Sequence, residues 1–67
     1  MYHIKTEIVL RLLNITKRTL YNYRYGYWNK YGYHEPIMDI GDVFVVMVNH
    51  RQVSYMTQSG FESILNN

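Results

Sequence analysis

The stretch Thr16-Lys17-Arg18-Thr19-Leu20-Tyr21-Asn22-Tyr23-Arg24-Tyr25 decides how this chain is read. Thr16 offers a side-chain oxygen to the free amides of a first helical turn, which makes it an N-cap. At about 100° per residue, Leu20 and Tyr23 fall on one side of the helix that follows, with Thr19 beside them. The opposite side holds Arg18, Tyr21, Asn22 and Tyr25, with Lys17 and Arg24 on its flank. A solvated helix face ordinarily mixes charges of both signs. This face has cations, an amide and planar rings, and no acid. Such side chains bind phosphates and base edges, so the expectation is a helix that enters DNA.

Upstream, Tyr2 to Lys5 reads as an extended lead-in, and Thr6 as an N-cap with Glu7 at the favourable end of the helix dipole. Ile8, Val9, Leu12 and Leu13 form an apolar stripe of helical period with Arg11 directed outward, so the first helix is expected over 6–13. Asn14 tolerates the left-handed conformation that ends helices, and Ile15 is a buried turn residue. Two helices with so short a connection make a helix-turn-helix pattern.

Downstream, residues 25–36 form an irregular aromatic loop punctuated by Gly26, Gly32 and Pro36. Two readings stay open for it. Either Trp28 and two or three tyrosines close over the core as a lid, or some of the rings and Lys30 extend a nucleic-acid surface or bind another protein, with Tyr27, Trp28, Tyr31 and Tyr33 as the possible protein interface. The pattern then turns to β. Ile37–Ile40 is a short strand, Gly41-Asp42 a turn, and Val43–Val48 a strand dense in β-branched residues. Asn49 has turn character, and Gln52–Thr57 alternates as a half-buried strand. The resulting hairpin presents His50 and Arg51 at its tip. Thr57 caps a last helix, Met56 and Phe61 form its hydrophobic staple, and Phe61, Ile64 and Leu65 face the core.

At 67 residues the chain is expected to be a single domain, 1–67, near the size at which a hydrophobic core alone just suffices. It contains no cysteine, which excludes disulfides and thiolate metal sites. Its longest apolar run, Val43–Val48, is too short for a bilayer, so a cytoplasmic location without membrane attachment is expected. The net charge is only +2. Lys17, Arg18 and Arg24 are nevertheless clustered, whereas Glu35, Asp39, Asp42 and Glu62 lie later, and such a patch suits a polyanion. His3, His34 and His50 are dispersed and the glycines too widely spaced for a phosphate loop, so neither an enzyme nor a cofactor or metal is expected.

Three pieces carry a family resemblance. The run Leu12-Leu13-Asn14-Ile15-Thr16-Lys17-Arg18-Thr19-Leu20-Tyr21-Asn22-Tyr23, the hairpin Val43–Tyr55 and the capped segment Met56–Leu65 together resemble the small winged helix-turn-helix proteins of the MerR-like and excisionase type. Ile8 and Leu10 depart from that family's pattern, and the aromatic loop is longer than its usual connection. The resemblance implies an α+β winged helix-turn-helix, with two N-terminal helices, a β-hairpin wing and a short C-terminal helix. It also implies sequence-specific binding of double-stranded DNA, with helix 2 in the major groove and the wing on an adjacent groove or the backbone.

Residue chemistry then assigns Thr16, Lys17 and Arg24 to phosphates, Arg18 to guanine, Asn22 to adenine and Tyr21 or Tyr25 to a thymine methyl or a phosphate. Lys30, His50 and Arg51 complete the expected DNA contacts. Chain length leaves no room for the dimerisation helix and effector domain of a full MerR-type activator. The expectation is therefore an excisionase-like factor of a phage or mobile element, which binds adjacent sites beside copies of itself, bends DNA and steers a site-specific recombinase. The alternatives are a minimal transcription regulator with the same fold and a small inhibitor or adaptor that binds a protein partner through the aromatic loop.

Overall fold

The computed structural model describes residues 3–67; Tyr2, where the expected lead-in begins, lies outside them. The elements run β1 (His3–Lys5), α1 (Thr6–Leu13), α2 (Lys17–Tyr25), β2 (Tyr27–Asn29), β3 (Gly32–His34), a 3-10 turn (Ile40–Asp42), β4 (Val43–Val48), β5 (Arg51–Thr57) and α3 (Gln58–Leu65). The fold is thus a small α+β arrangement of three helices and antiparallel strands, in a three-stranded sheet of order β1-β5-β4 and a separate β2–β3 hairpin.

The sheet brings Ile4, Met56 and Val43 side by side, because Met56 is paired with Ile4 on one edge and Val43 on the other. Side chains alternate across a pleated strand, so these three share the inner face. Phe44, Tyr55 and His3 occupy the outer face. There the Phe44 ring meets His3 edge-on at 5.1 Å and stacks against Tyr55 at 6.0 Å. The inner row joins Val9, Leu20 and Met38 in the core, with Leu10, Leu13, Tyr23, Phe61 and Ile64 packed around it.

The strand β1 sets the rotation of α1, and this corrects two expectations. Helix α1 does cover 6–13, but its cap position is Lys5. Thr6 lies inside the first turn, buried, with its hydroxyl 2.8 Å from Ser54 Oγ on β5. The strand passes into the helix without a break, so pairing of Lys5 with Tyr55 draws the Thr6 side chain onto the sheet. The face turned inward is Thr6, Val9, Leu10 and Leu13, while Ile8 and Leu12 are exposed. Relative to the stripe Ile8, Val9, Leu12 and Leu13, the helix is turned by roughly 80°.

The remaining connections are closed locally. Asn14 adopts φ 53° and ends α1, and Ile15 is half-buried rather than buried. Thr16 accepts the Thr19 amide at 3.1 Å, which makes it the N-cap of α2. The segment Ile37–Ile40 is not a strand. It finds no neighbour to pair with; instead the Ile37 amide donates to the Tyr23 carbonyl at 3.0 Å, and Met38 is buried. Asp39 and Asp42 then cap each other's amides, and the expected turn at Gly41-Asp42 becomes the 3-10 turn.

Asn49 and His50 both have positive φ, the backbone a two-residue hairpin turn requires, so β5 starts at Arg51, one residue before its expected first residue. Thr57 caps α3 by accepting the Gly60 amide at 3.0 Å, and its hydroxyl donates to Asp42 Oδ1 at 2.8 Å. Leu65, an expected core residue of that helix, is exposed; Phe61 and Ile64 alone pack inward.

Gly60 records how closely α3 approaches the 3-10 turn. A Cβ at this position would lie 2.8 Å from Asp42 Cβ and 3.2 Å from Met56 Cγ. Gly60→Ala is therefore expected to lower stability by a net of about 1–2 kcal/mol, the overpacking cost exceeding the roughly 1 kcal/mol that alanine gains over glycine in a helix. Urea denaturation followed by circular dichroism measures this; an unchanged or raised midpoint would show that α3 is not so tightly seated.

Candidate nucleic-acid interface

Burial of Leu20 and partial burial of Tyr23 orient α2, and the outward residues follow from that anchoring. Thr16, Lys17, Arg18, Tyr21 and Tyr25 are exposed, and Asn22 and Arg24 are half-buried. Tyr21 and Tyr25, one turn apart, bring their ring centroids to 4.6 Å. The Arg24 guanidinium carbon lies 4.9 Å from the Tyr25 ring centroid, close enough for cation–π attraction. Its Nε is buried without a hydrogen-bond partner.

The β4–β5 hairpin packs on α1 and α3 and faces α2 across a groove lined by Lys17 and Leu20. Its apolar outer half, Val45, Val46, Met47 and Val48, is exposed, so the hairpin extends beyond the core. His50 occupies the turn and Arg51 opens β5, both exposed. An open groove of about 720 Å³ runs between the helices and this hairpin, and it brings together Lys17, Arg51, Lys5 and Gln52. The acid on its wall, Glu7, is engaged by Arg11 at 3.1 Å. Lys5 and Gln52 were not among the expected contacts. Lys5 reaches the groove through the pairing of β1 with β5, which no local signal in the sequence marks, and Gln52 through its place on β5 opposite Met47.

The aromatic segment is ordered. Among residues 25–36, β2 and β3 pair Tyr27 with His34, Trp28 with Tyr33 and Asn29 with Gly32, in place of an irregular loop. Cross-strand stacking accounts for this, with Tyr27 and His34 ring centroids 4.5 Å apart and nearly parallel. The reading as a core lid fails for Trp28, Tyr31 and Tyr33, which are exposed. Lys30 sits at the tip, its ammonium 5.1 Å from the Tyr31 ring centroid. Of the expected DNA contacts, then, α2 presents Thr16, Lys17, Arg18, Tyr21, Asn22, Arg24 and Tyr25 together. His50 and Arg51 lie on one hairpin and Lys30 on the other.

Among the described residues no group of three or more histidines and carboxylates is placed to hold a metal ion. No helix among them is long and apolar enough to cross a membrane. Comparison with protein families, with curated proteins and with solved structures gave no match.

Proposed function

We infer that the chain is a winged helix-turn-helix protein that binds double-stranded DNA, with α2 in the major groove and the β4–β5 hairpin as the wing. The observation that carries this reading is the groove in which Lys17 at the start of α2 and Arg51 on the hairpin line the same wall-to-wall space. Two cations far apart in the sequence thereby line one groove, which suits a phosphate backbone. The acid-free face of α2 carries the base-reading groups Arg18 and Asn22.

Within this reading the role is that of an excisionase-like factor, serving a site-specific recombinase of a phage or mobile element. So small a domain makes few contacts of its own. Copies on adjacent sites would offset the roughly 1–6 kcal/mol cost of bending the duplex. A minimal transcription regulator would use the same surface without that architecture.

Salt dependence tests the electrostatic core of the reading. With about four phosphate contacts, affinity for a duplex should fall by roughly a hundredfold between about 50 and 200 mM salt. Fluorescence anisotropy across that range reads the slope; a flat profile, or no binding at the low-salt end, would refute DNA as the partner.

A further inference from the structure

The β2–β3 hairpin is the part of the molecule whose rings the core does not use. Trp28 is 77% exposed and Tyr31 81% exposed, and no residue of the hairpin belongs to the core cluster. The hairpin is nevertheless built to a definite shape. Asn29 Oδ1 accepts the Tyr31 amide at 2.8 Å and closes the turn. At the base, Gly26 has φ +79°, and a Cβ there would lie 2.7 Å from the His34 carbonyl oxygen and collide with the Tyr33 hydroxyl. A backbone held this way fixes where the two rings are presented, which lowers the ordering cost when something stacks on them.

The hairpin is also continuous with α2. Tyr21 packs against Tyr25 with the two rings tilted, the Tyr25 carbonyl accepts from the Tyr33 hydroxyl at 3.4 Å, and the Tyr33 ring centroid lies 5.2 Å from that of Trp28. A hollow of about 340 Å³ is shared by Asn22 of the helix and Tyr27, Tyr33 and His34 of the hairpin. Glu35 lines the same hollow at the foot of the hairpin, but from Thr16 to His34 there is no aspartate or glutamate, while Lys17, Arg18, Arg24 and Lys30 recur among the rings. Protein interfaces are depleted in lysine at their centres. Cations alternating with flat rings suit a ligand that is itself a polyanion carrying flat rings.

Bases inside an intact stack offer no free face to such rings. We propose that Trp28 and Tyr31 form a stacking platform for nucleobases unstacked at a kinked or locally opened step beside the duplex bound by α2. This inference rests on the reading of α2 as a duplex-binding helix. It makes the hairpin a second nucleic-acid contact, one that favours distorted over straight DNA.

Trp28 is the only tryptophan, so its emission reports on this hairpin alone. The test compares a fully paired duplex with the same duplex carrying one unpaired thymine, at low salt. Trp28 emission should be quenched on the bulged duplex and little altered on the paired one. The double variant Trp28→Ala, Tyr31→Ala should lose about tenfold in affinity for the bulged duplex and less than about twofold for the paired one. Both side chains are exposed, so circular dichroism should show the fold retained. Equal losses on the two duplexes would overturn the proposal, because the rings would then be making a general contact. Unchanged emission and affinity with duplex still bound would also overturn it, leaving α2 as the DNA element and the aromatic face to a protein partner. Absence of duplex binding by the unaltered chain would remove both readings together.

Discussion

Replacing Arg18 and Asn22 together by alanine is expected to weaken duplex binding by about a thousandfold. The two residues lie one turn apart on α2, Arg18 exposed and Asn22 half-buried, and a guanidinium can make two bonds to guanine and an amide two bonds to adenine. A bidentate base contact contributes about 1–3 kcal/mol, so losing both costs about 4 kcal/mol, and 1.4 kcal/mol corresponds to a factor of ten. The substitutions should leave the helix intact. Arg18 is exposed, Asn22 contributes only its backbone carbonyl to the Gly26 amide at 2.8 Å, and alanine is the best helix former. The measurement is anisotropy on a duplex selected from a random pool, with circular dichroism as the check on folding. Arg18→Lys separates base reading from charge: lysine keeps the cation but not the planar fork, so most of the Arg18 contribution should be lost. A folded double variant that binds as tightly as the unaltered chain would show that α2 is not the reading helix.

The second large effect concerns the core. Met56→Ala is expected to leave the chain substantially unfolded at 37 °C. Met56 is completely buried, paired with Ile4 and Val43 across the sheet and lying against the Gly60 approach of α3. Truncating a buried methionine costs about 2–5 kcal/mol. A single core in a chain this short supplies about 3–5 kcal/mol in total. Loss of one side chain therefore consumes most of the margin. Met56→Leu, which conserves volume, should cost less than about 1.5 kcal/mol and keep a cooperative melt. Thermal denaturation followed at 222 nm distinguishes the two, and a Met56→Ala melt within a few degrees of the unaltered chain would mean that β5 is not the central strand of the core.

Where the sequence was informative, the signal was local. Thr16 and Thr57 are capping residues whose hydroxyls reach amides three positions on, and both bonds form as expected. Leu20 and Tyr23 orient α2 because one face of a helix must be apolar, and Val43–Val48 is a strand because its side chains suit a pleated surface. Periodicity failed where partners lie far away. In α1, Ile8 and Leu12 satisfied the helical period as well as Leu10 does, and nothing nearby chose among the possible rotations.

The sequence by itself determined three helices, a hairpin, the caps of α2 and α3 and an acid-free face on α2, since each depends on residues within one or two turns of one another. Tertiary structure decided the rest. Pairing of β1 with β5 rotates α1 and brings Lys5 to the groove that Lys17, Arg51 and Gln52 also line. Cross-strand stacking of Tyr27 on His34 converts an aromatic loop into a hairpin whose Trp28 and Tyr31 face water. Those outcomes rest on contacts between residues distant in the chain or across a strand pair, whose free energy exists only once the backbone has brought them together.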